Sequence, residues 1–167
     1  MEEVIINKVE NSAILTFNLE DFYPNKPIIE LDIKPFLFMG LILKEKDFRE
    51  QVKKFDWKIY ENQIVTLYCS EDAIIPTWAY MILATSLNQV NAEAFFGNKE
   101  QYLNVHYYKV LSEMDFERFR LKNVVIKGCG EKEVPVSAYV LASQYLSRYV
   151  KKLFYGEPCS TVPVWKR

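Results

Sequence analysis

The chain contains 167 residues, of which 50% are hydrophobic and 15% aromatic, so it has enough apolar side chains for a buried core and is not a disordered chain. Its 21 basic and 22 acidic residues leave a formal net charge of −1, which argues against nucleic acid as a partner, because phosphate binding needs an excess of positive charge. The single histidine excludes sites that require two or more histidines from one chain.

The first ten residues, MEEVIINKVE, carry acidic rather than basic side chains, and no long apolar stretch follows them. A signal peptide begins with basic residues, and a membrane-spanning helix needs about 20 apolar residues, so we expect neither. The three cysteines are an odd number in a chain without an export signal, which predicts reduced thiols. The expected location is therefore the cytoplasm, with no membrane partner.

Predicted strands and helices alternate along the chain. Short apolar runs, most of them continuous as in strands covered on both faces, predict strands over 14–19, 28–33, 64–68, 92–96, 124–127 and 152–155. Apolar spacing and two prolines at helix starts predict helices over 45–55, 76–87, 101–114 and 135 to about 150. The alternation predicts one α/β domain over residues 1–167, with a mostly parallel sheet and helices on both faces.

The two ends of the chain do not follow this alternation. The region 7–27 is interpreted as an N-terminal addition, and the sequence leaves open whether its strands form an antiparallel edge. The ending TVPVWKR is expected to cover a sheet edge or to form a dimer contact.

An internal repeat is the most informative feature of the sequence, with copies over approximately 55–98 and 114–158. Matching residues lie 59 or 60 positions apart: Tyr60 and Phe119, Cys69 and Cys129, Pro76-x-x-Ala79-Tyr80 and Pro135-x-x-Ala138-Tyr139. Each copy predicts a helix, a strand, a cysteine-bearing loop, a second helix and a strand that ends in an aromatic residue and glycine. The segment Phe38-Met39-Gly40 is interpreted as a fainter third copy of that ending, and chance similarity between two ordinary βα units is the alternative.

The repeat predicts where the cysteines lie. Cys69 and Cys129 each follow a predicted strand, and Cys159 comes four residues after the last one. Parallel strands with right-handed crossovers send their outgoing loops to the same edge of a sheet, which is where open α/β folds bind ligands. We therefore expect all three thiols at one edge of one sheet.

Three converging thiols predict a site for a metal ion or an iron–sulfur cluster. Zinc commonly takes three cysteines and a fourth ligand, and thiolates hold iron–sulfur clusters. The loops beside the cysteines offer Glu71, Asp72 and Glu157 as further ligands, of which we select Asp72 and Glu157. His106 lies beside the apolar face of its helix, so we expect a partly buried structural histidine.

Two other functions remain open on the same residues. A thiol near a helix N-terminus can act as a nucleophile, which would make the protein a thiol-dependent sulfur-transfer enzyme. Alternatively, the cysteines are small structural side chains of a non-catalytic interaction module. The sequence does not decide whether the protein is an enzyme.

Distinctive motifs carry a resemblance to a known family: DFYP, LILKEKDFRE, CSEDAIIPTWAY, IKGC and YGEPCSTVP. On these the chain resembles, over nearly its whole length, an uncharacterised domain-of-unknown-function family of small cytosolic proteins found mainly in Bacteroidota. No activity is established for the family, so the resemblance implies no catalytic residue. Its members are often encoded near the sulfur-mobilisation system, which implies an accessory protein in iron–sulfur or sulfur metabolism and partners among the proteins of iron–sulfur cluster assembly.

Overall fold

The computed structural model describes residues 14–167, which divide into two compact units. The continuous unit spans residues 24–103, and the discontinuous unit consists of residues 14–23 and 104–167. The described residues form seven strands: β1 (Ile14–Asn18), β2 (Ile28–Asp32), β3 (Ile64–Tyr68), β4 (Glu93–Phe96), β5 (Asn123–Lys127), β6 (Lys152–Glu157) and β7 (Ser160–Lys166). They also form four α-helices: α1 (Glu45–Lys54), α2 (Thr77–Asn88), α3 (Lys99–Ser112) and α4 (Val136–Leu146).

The strands form two mostly parallel sheets, one in each unit. The continuous unit holds the order β2-β3-β4, and the discontinuous unit holds β1-β5-β6-β7. This confirms the predicted α/β class with mostly parallel strands, but the expectation of one sheet is wrong. The extent of a single domain over 1–167 stays a prediction.

The core of the continuous unit explains why β3 is apolar apart from Thr66. As the central strand, β3 is covered on both faces and is buried from Ile64 to Leu67. Helix α2 begins after Pro76 and faces the core with side chains four positions apart. The buried cluster consists of Leu31, Ile33, Phe36, Phe48, Val52, Tyr60, Val65, Leu67, Ala79, Leu83, Leu87 and Ala92.

The core of the discontinuous unit centres on Phe17 of β1. Its ring lies 5.4 Å from Phe22, 5.9 Å from Phe116 and 5.5 Å from Phe119, measured between ring centroids. Helix α4 again begins after a proline and buries Ala138, Ala142 and Leu146 at four-residue spacing.

The antiparallel edge lies at the C-terminus and not in the N-terminal strands. β1 pairs parallel with β5 and β2 pairs parallel with β3, whereas β7 pairs antiparallel with β6. Long connections join the parallel pairs, but a two-residue turn joins β6 to β7 and allows only antiparallel pairing. The placement of TVPVWKR over a sheet edge is confirmed, and residues 7–13 of the expected addition lie outside the described residues.

The segment Phe38-Met39-Gly40 does not end a strand. It forms a tight turn closed by a single antiparallel bridge between Phe38 and Ile42. Met39 and Gly40 have positive φ angles of 52° and 70°. The prediction that this segment is a third copy of the strand ending is therefore wrong.

Backbone details recur in the two units 59 positions apart. Asn62 and Leu121 have φ angles of 59° and 57°, and their N–H groups donate to the carbonyl oxygens of Val90 and Tyr149 at 3.3 and 2.9 Å. The glycines after the matching strand residues, Gly97 and Gly156, also share a positive φ, at 128° and 115°. The two units thus use the same local geometry at matching positions.

Among residues 14–167, no helix has both the length and the apolar character that crossing a bilayer requires.

Candidate functional site

Cys129 and Cys159 lie at the carboxyl ends of neighbouring strands in the discontinuous unit. Cys129 comes two residues after β5 ends, and Cys159 lies in the turn between β6 and β7. β5 and β6 run parallel with Ile126 opposite Tyr155, so their outgoing chains leave at the same edge of the sheet. Both thiols are free and exposed. These two residues form the candidate thiol site.

An ion pair joins the two strands just before the thiols. Lys127 Nζ lies 2.9 Å from Oε1 and 3.0 Å from Oε2 of Glu157, and each residue precedes its cysteine by two positions. The hydrogen bond to Glu157 and its negative charge raise the pKa of Lys127, with smaller contributions from Glu20 and Cys129. Lys127 therefore stays protonated within electrostatic range of Cys129.

The loop after β5 is held at the glycines on both sides of Cys129. The N–H of Gly130 donates to the Glu20 carboxylate, and Lys132 Nζ donates to the Glu20 carbonyl oxygen at 3.2 Å. Gly128 is buried, and a Cβ at this position would lie 2.6 Å from the Tyr139 hydroxyl oxygen. A side chain at position 128 would therefore displace either the loop or the tyrosine.

Tyr139 contributes a protonated hydroxyl beside this loop. Burial raises its pKa to about 12, and the charges of Cys129, Tyr155 and Glu20 act in the same direction. Its ring meets that of Tyr155 edge-on, with centroids 5.7 Å apart and an interplanar angle of 75°. At neutral pH this hydroxyl is therefore uncharged.

Cys69 lies in the continuous unit, directly after β3, and is partly buried. The residue that follows it, Ser70, donates to both carboxylate oxygens of Asp32, from its N–H at 3.0 Å and from its hydroxyl at 2.6 Å. Lys34 forms an ion pair with Glu71. The surroundings of Cys69 are thus a network of carboxylate, hydroxyl and ammonium groups.

The expectation of three thiols at one edge of one sheet is wrong. Cys69 follows a strand of the three-stranded sheet, whereas Cys129 and Cys159 follow strands of the four-stranded sheet. The two cysteine-bearing βα segments have the same sequence pattern, and this pattern does not encode to which sheet a strand belongs.

The predicted metal ligands find no support in the geometry. Within 14–167, no three side chains of histidine, cysteine, aspartate or glutamate are grouped so that they could hold a metal ion. Asp72 is exposed in the loop after Cys69, and Glu157 is paired with Lys127. A metal site formed by the three cysteines with Asp72 and Glu157 therefore stays a prediction. His106 is partly buried with Nε2 2.8 Å from the Phe22 carbonyl oxygen, as expected for a structural histidine.

A family model described as "Protein of unknown function (DUF2480)" matches residues 3–167. The chain belongs to this family. The match confirms the resemblance to a domain-of-unknown-function family. Comparisons with curated proteins and with solved structures gave no match.

Several residues around the thiols in this DUF2480 chain carried no signal in the sequence. Lys127 stands two positions before a cysteine, so the motif IKGC contained it, but nothing indicated that it pairs with Glu157. Glu20 and Asp32 are distant in sequence from the loops that they hold, 110 and 38 positions away respectively. Such contacts depend on strand pairing, which local patterns do not determine.

Proposed function

We propose that the protein is a thiol-dependent accessory protein whose working groups are Cys129 and Cys159. The observation that carries the proposal is that both thiols are exposed and follow neighbouring parallel strands joined by the Lys127–Glu157 ion pair. A role in iron–sulfur or sulfur metabolism, partners among the proteins of cluster assembly and a cytoplasmic location belong to the same proposal and rest on the motifs of the family.

The chemistry that two neighbouring thiols support is thiol–disulfide exchange with a disulfide-bearing partner. The thiolate of one cysteine attacks the partner disulfide, which forms a mixed disulfide and releases one partner thiol. The second cysteine then attacks the mixed disulfide, forms the Cys129–Cys159 bond and releases the second partner thiol. Two electrons pass to the partner, and the two protons of the cysteines end on its thiols.

Lys127 and Glu157 have a positioning role in this proposal. Their ion pair joins β5 to β6 immediately before the two thiols, so it restricts the distance between the two outgoing loops. A disulfide requires Cα atoms roughly 4.4–6.8 Å apart, so fixing the two loops favours the intramolecular bond over bonds to other molecules. Lys127→Met is expected to reduce the yield of the internal disulfide without changing the exposure of either thiol.

The test is a redox titration of the full chain. Protein purified without oxygen is equilibrated in glutathione buffers of graded potential, the free thiols are alkylated, and the disulfide is located by peptide mass spectrometry. We expect a Cys129–Cys159 disulfide that persists in Cys69→Ser, the matched control, and is absent in Cys129→Ser and in Cys159→Ser. If no buffer yields this disulfide and the three thiols alkylate at equal rates, the proposal is wrong.

The same preparation tests the predicted metal ion or iron–sulfur cluster. Elemental analysis and a visible absorption spectrum are compared with those of a Cys69→Ser/Cys129→Ser/Cys159→Ser variant. About one equivalent of zinc, or iron with a broad visible band, that disappears in the variant would assign the cysteines to metal binding instead of thiol exchange.

We also infer that the two units arose by duplication of one module in which helices cover both faces of a sheet. The support is the shared order of 3-10 turn, strand, loop, helix and strand, with a spacing of 59 positions between matching features. Superposition of β3–α2–β4 on β5–α4–β6 in an experimental structure checks this inference, since two unrelated βα units would not retain matching hydrogen bonds.

A further inference from the structure

An open groove lies beside β4 in the continuous unit. It has a volume of about 560 Å³, and its lining includes Leu67, Tyr80, Met81, Ala84 and Phe96. Two of these apolar side chains are largely exposed, Met81 at 63% and Phe96 at 70%. An apolar groove whose lining is this exposed is a candidate binding surface.

The discontinuous unit contains the same groove at positions 59 residues later. Its lining includes Ile126, Tyr139, Val140, Ser143 and Tyr155, each matching one residue of the first groove. The two linings are not identical, and one difference is that Val164 of β7 lines the second groove. Val164 is the extra residue at the irregularity where β7 shifts its register against β6. β7 therefore contributes one side chain to the lining of the second groove, and among the described residues no strand beyond β3 and β4 does so for the first.

Among residues 14–167, no strand pairs with the outer edge of β4. The N–H groups of Glu93 and Gly97 donate to carbonyl oxygens of the β3 side, at Gln63 and Leu67, over 2.8 and 3.0 Å. Successive residues of a strand direct their backbone groups to opposite sides, so Ala94 directs its N–H and C=O to the open edge, and so does Phe96.

The matching residues of β6 show what an occupant of this edge looks like. Leu153, which matches Ala94, pairs with Trp165 of β7, and Tyr155, which matches Phe96, pairs with Val162. At the equivalent edge, on β6, an extended antiparallel segment therefore pairs with the backbone of the strand. β4 presents the same edge without such a segment among residues 14–167.

The negative charge of Glu93 indicates which side chain a segment bound to β4 would carry near one end. The exposed Glu93 begins β4, and its counterpart Lys152 lies opposite Lys166 near the end of β7. A segment seated on β4 as β7 is seated on β6 would place the residue matching Lys166 opposite Glu93. A basic residue at that position gives an attractive cross-strand pair on β4, where β6 has two like charges.

We propose that the edge of β4 binds an extended segment of a partner protein, antiparallel to β4, with an apolar side chain in the groove and a basic residue opposite Glu93. Main-chain hydrogen bonds to Ala94 and Phe96 supply the general affinity, and the groove and Glu93 supply the selectivity. This binding mode is strand addition to a sheet edge.

The probe is a fluorescently labelled peptide with the sequence of residues 160–167, STVPVWKR, titrated into the full chain and followed by fluorescence anisotropy. Its control peptide carries Lys166→Glu and Arg167→Glu. We expect Phe96→Asp to raise the dissociation constant by about tenfold, and Glu93→Lys to raise it by about threefold. Glu93→Lys is also expected to reverse the preference between the two peptides, and hydrogen exchange at the Ala94 and Phe96 amides is expected to slow on binding.

Tyr108→Asp is the matched control variant, because Tyr108 is 62% exposed on α3, in the discontinuous unit. It is expected to leave peptide binding unchanged. The proposal is overturned if saturating peptide leaves the Ala94 and Phe96 amides unprotected, or if Phe96→Asp and Glu93→Lys both bind the peptide as the unmodified chain does. A dimer of the chain that Phe96→Asp dissociates would assign the edge to a second copy and would also overturn it.

Discussion

Asp32 accepts two hydrogen bonds from Ser70, one from the N–H to Oδ1 at 3.0 Å and one from the hydroxyl to Oδ2 at 2.6 Å. The carboxylate stands at the end of β2 and thereby holds the start of the loop that carries Cys69. Oδ1 also accepts the N–H of Lys34 at 2.9 Å, so one side chain satisfies three donors.

Asp32→Ala is expected to lower the free energy of unfolding at pH 7 by about 1 kcal/mol. Burial raises the pKa of Asp32, but the bonds from Ser70 and Lys34 and the charge of Lys34 outweigh it, so the pKa lies below its usual value. A lowered folded-state pKa means that the carboxylate stabilises the fold above about pH 4 and that this stabilisation is lost as the pH falls through the folded-state value. Urea unfolding at several pH values measures the effect, and the gap between variant and unmodified chain is expected to close in acid.

Asn18→Ala is the matched control for Asp32→Ala. Asn18 ends β1 as Asp32 ends β2, and its side chain accepts the N–H of Glu20 at 3.2 Å. An amide does not titrate, and its Nδ2 also donates to Asp21 Oδ1 at 3.0 Å, so the cost of this substitution is expected to depend less on pH than that of Asp32→Ala. Equal pH dependence in the two variants would contradict the role assigned to the Asp32 charge.

Tyr102 and Tyr139 are among the tyrosines that are expected to ionise only in strong alkali, as is Tyr107, whose pKa burial also raises. Burial is the main cause that raises the pKa of Tyr102 and of Tyr139 to about 12, from an ordinary value of 10.0. Because the folded-state pKa is the higher one, each phenol stabilises the fold fully below pH 10, and this contribution is lost as the pH rises through about 12. Phenolate absorbance during a rapid pH jump measures it, with Tyr102→Phe and Tyr139→Phe each removing one late-titrating group. Ionisation of all eleven tyrosines near pH 10 in the folded chain would contradict the expectation.

Gly156→Ala is expected to destabilise the chain by about 3 kcal/mol. The φ of Gly156 is 115°, and a Cβ there would lie 2.7 Å from the backbone oxygen of Ser160, so the hairpin that carries Cys159 would have to open. Gly40→Ala is the control, because its φ of 70° gives strain while nothing lies within 4 Å of the added Cβ. The control is expected to cost about 1 kcal/mol. Guanidinium unfolding gives both values, and a cost for Gly156→Ala no greater than for Gly40→Ala would contradict the clash.

Leu87→Ala and Leu146→Ala test whether the chain is a single domain. The two leucines are fully buried at matching positions of α2 and α4, so each substitution is expected to cost about 3 kcal/mol. Trp57 and Trp78 lie in the continuous unit and Trp165 in the discontinuous unit, so tryptophan fluorescence with and without Trp165→Phe separates the two signals. If the chain is one domain, the fluorescence signals of the two units report the same unfolding transition, and each leucine variant shifts both signals by the same amount. A shift confined to the unit that carries the substitution would show that the units unfold independently.

The sequence predicted the positions of the helices and strands better than it predicted which strands pair with each other. β3 was located at both ends because its mostly apolar run lies between Gln63 and the loop that begins at Cys69. α2 and α4 were located within one residue at their starts because prolines precede them. Pro163 within β7 weakens the strand pattern, and that segment was interpreted as an edge cover or a dimer contact and not as a strand. Assignment of the strands to two sheets depends on contacts between distant residues, such as Phe17 with Phe119, and no local period encodes them.

For the candidate site, the sequence placed each cysteine correctly at the end of a strand, but not the cysteines relative to each other. Cys69 and Cys129 lie 60 positions apart at equivalent points of the repeated pattern, and this equivalence was interpreted as proximity. In the structure the strands before these two cysteines belong to different sheets, β3 to the three-stranded sheet and β5 to the four-stranded sheet. Cys159 lies at the same sheet edge as Cys129 for a different reason, which is that the strands before them, β5 and β6, are neighbours in the sheet.

The split of the discontinuous unit affects the order in which a growing chain can fold. All three strands of the continuous unit have been synthesised once Phe96 is added, whereas β1 pairs with β5 and must wait until Lys127. Domains generally fold as units while synthesis proceeds, so β1 leaves the ribosome long before its partner exists. A polypeptide terminated after residue 103 would carry a complete three-stranded sheet together with an unpaired strand, and unpaired strands promote aggregation. Truncated translation products of this chain are therefore expected to need early degradation or a chaperone.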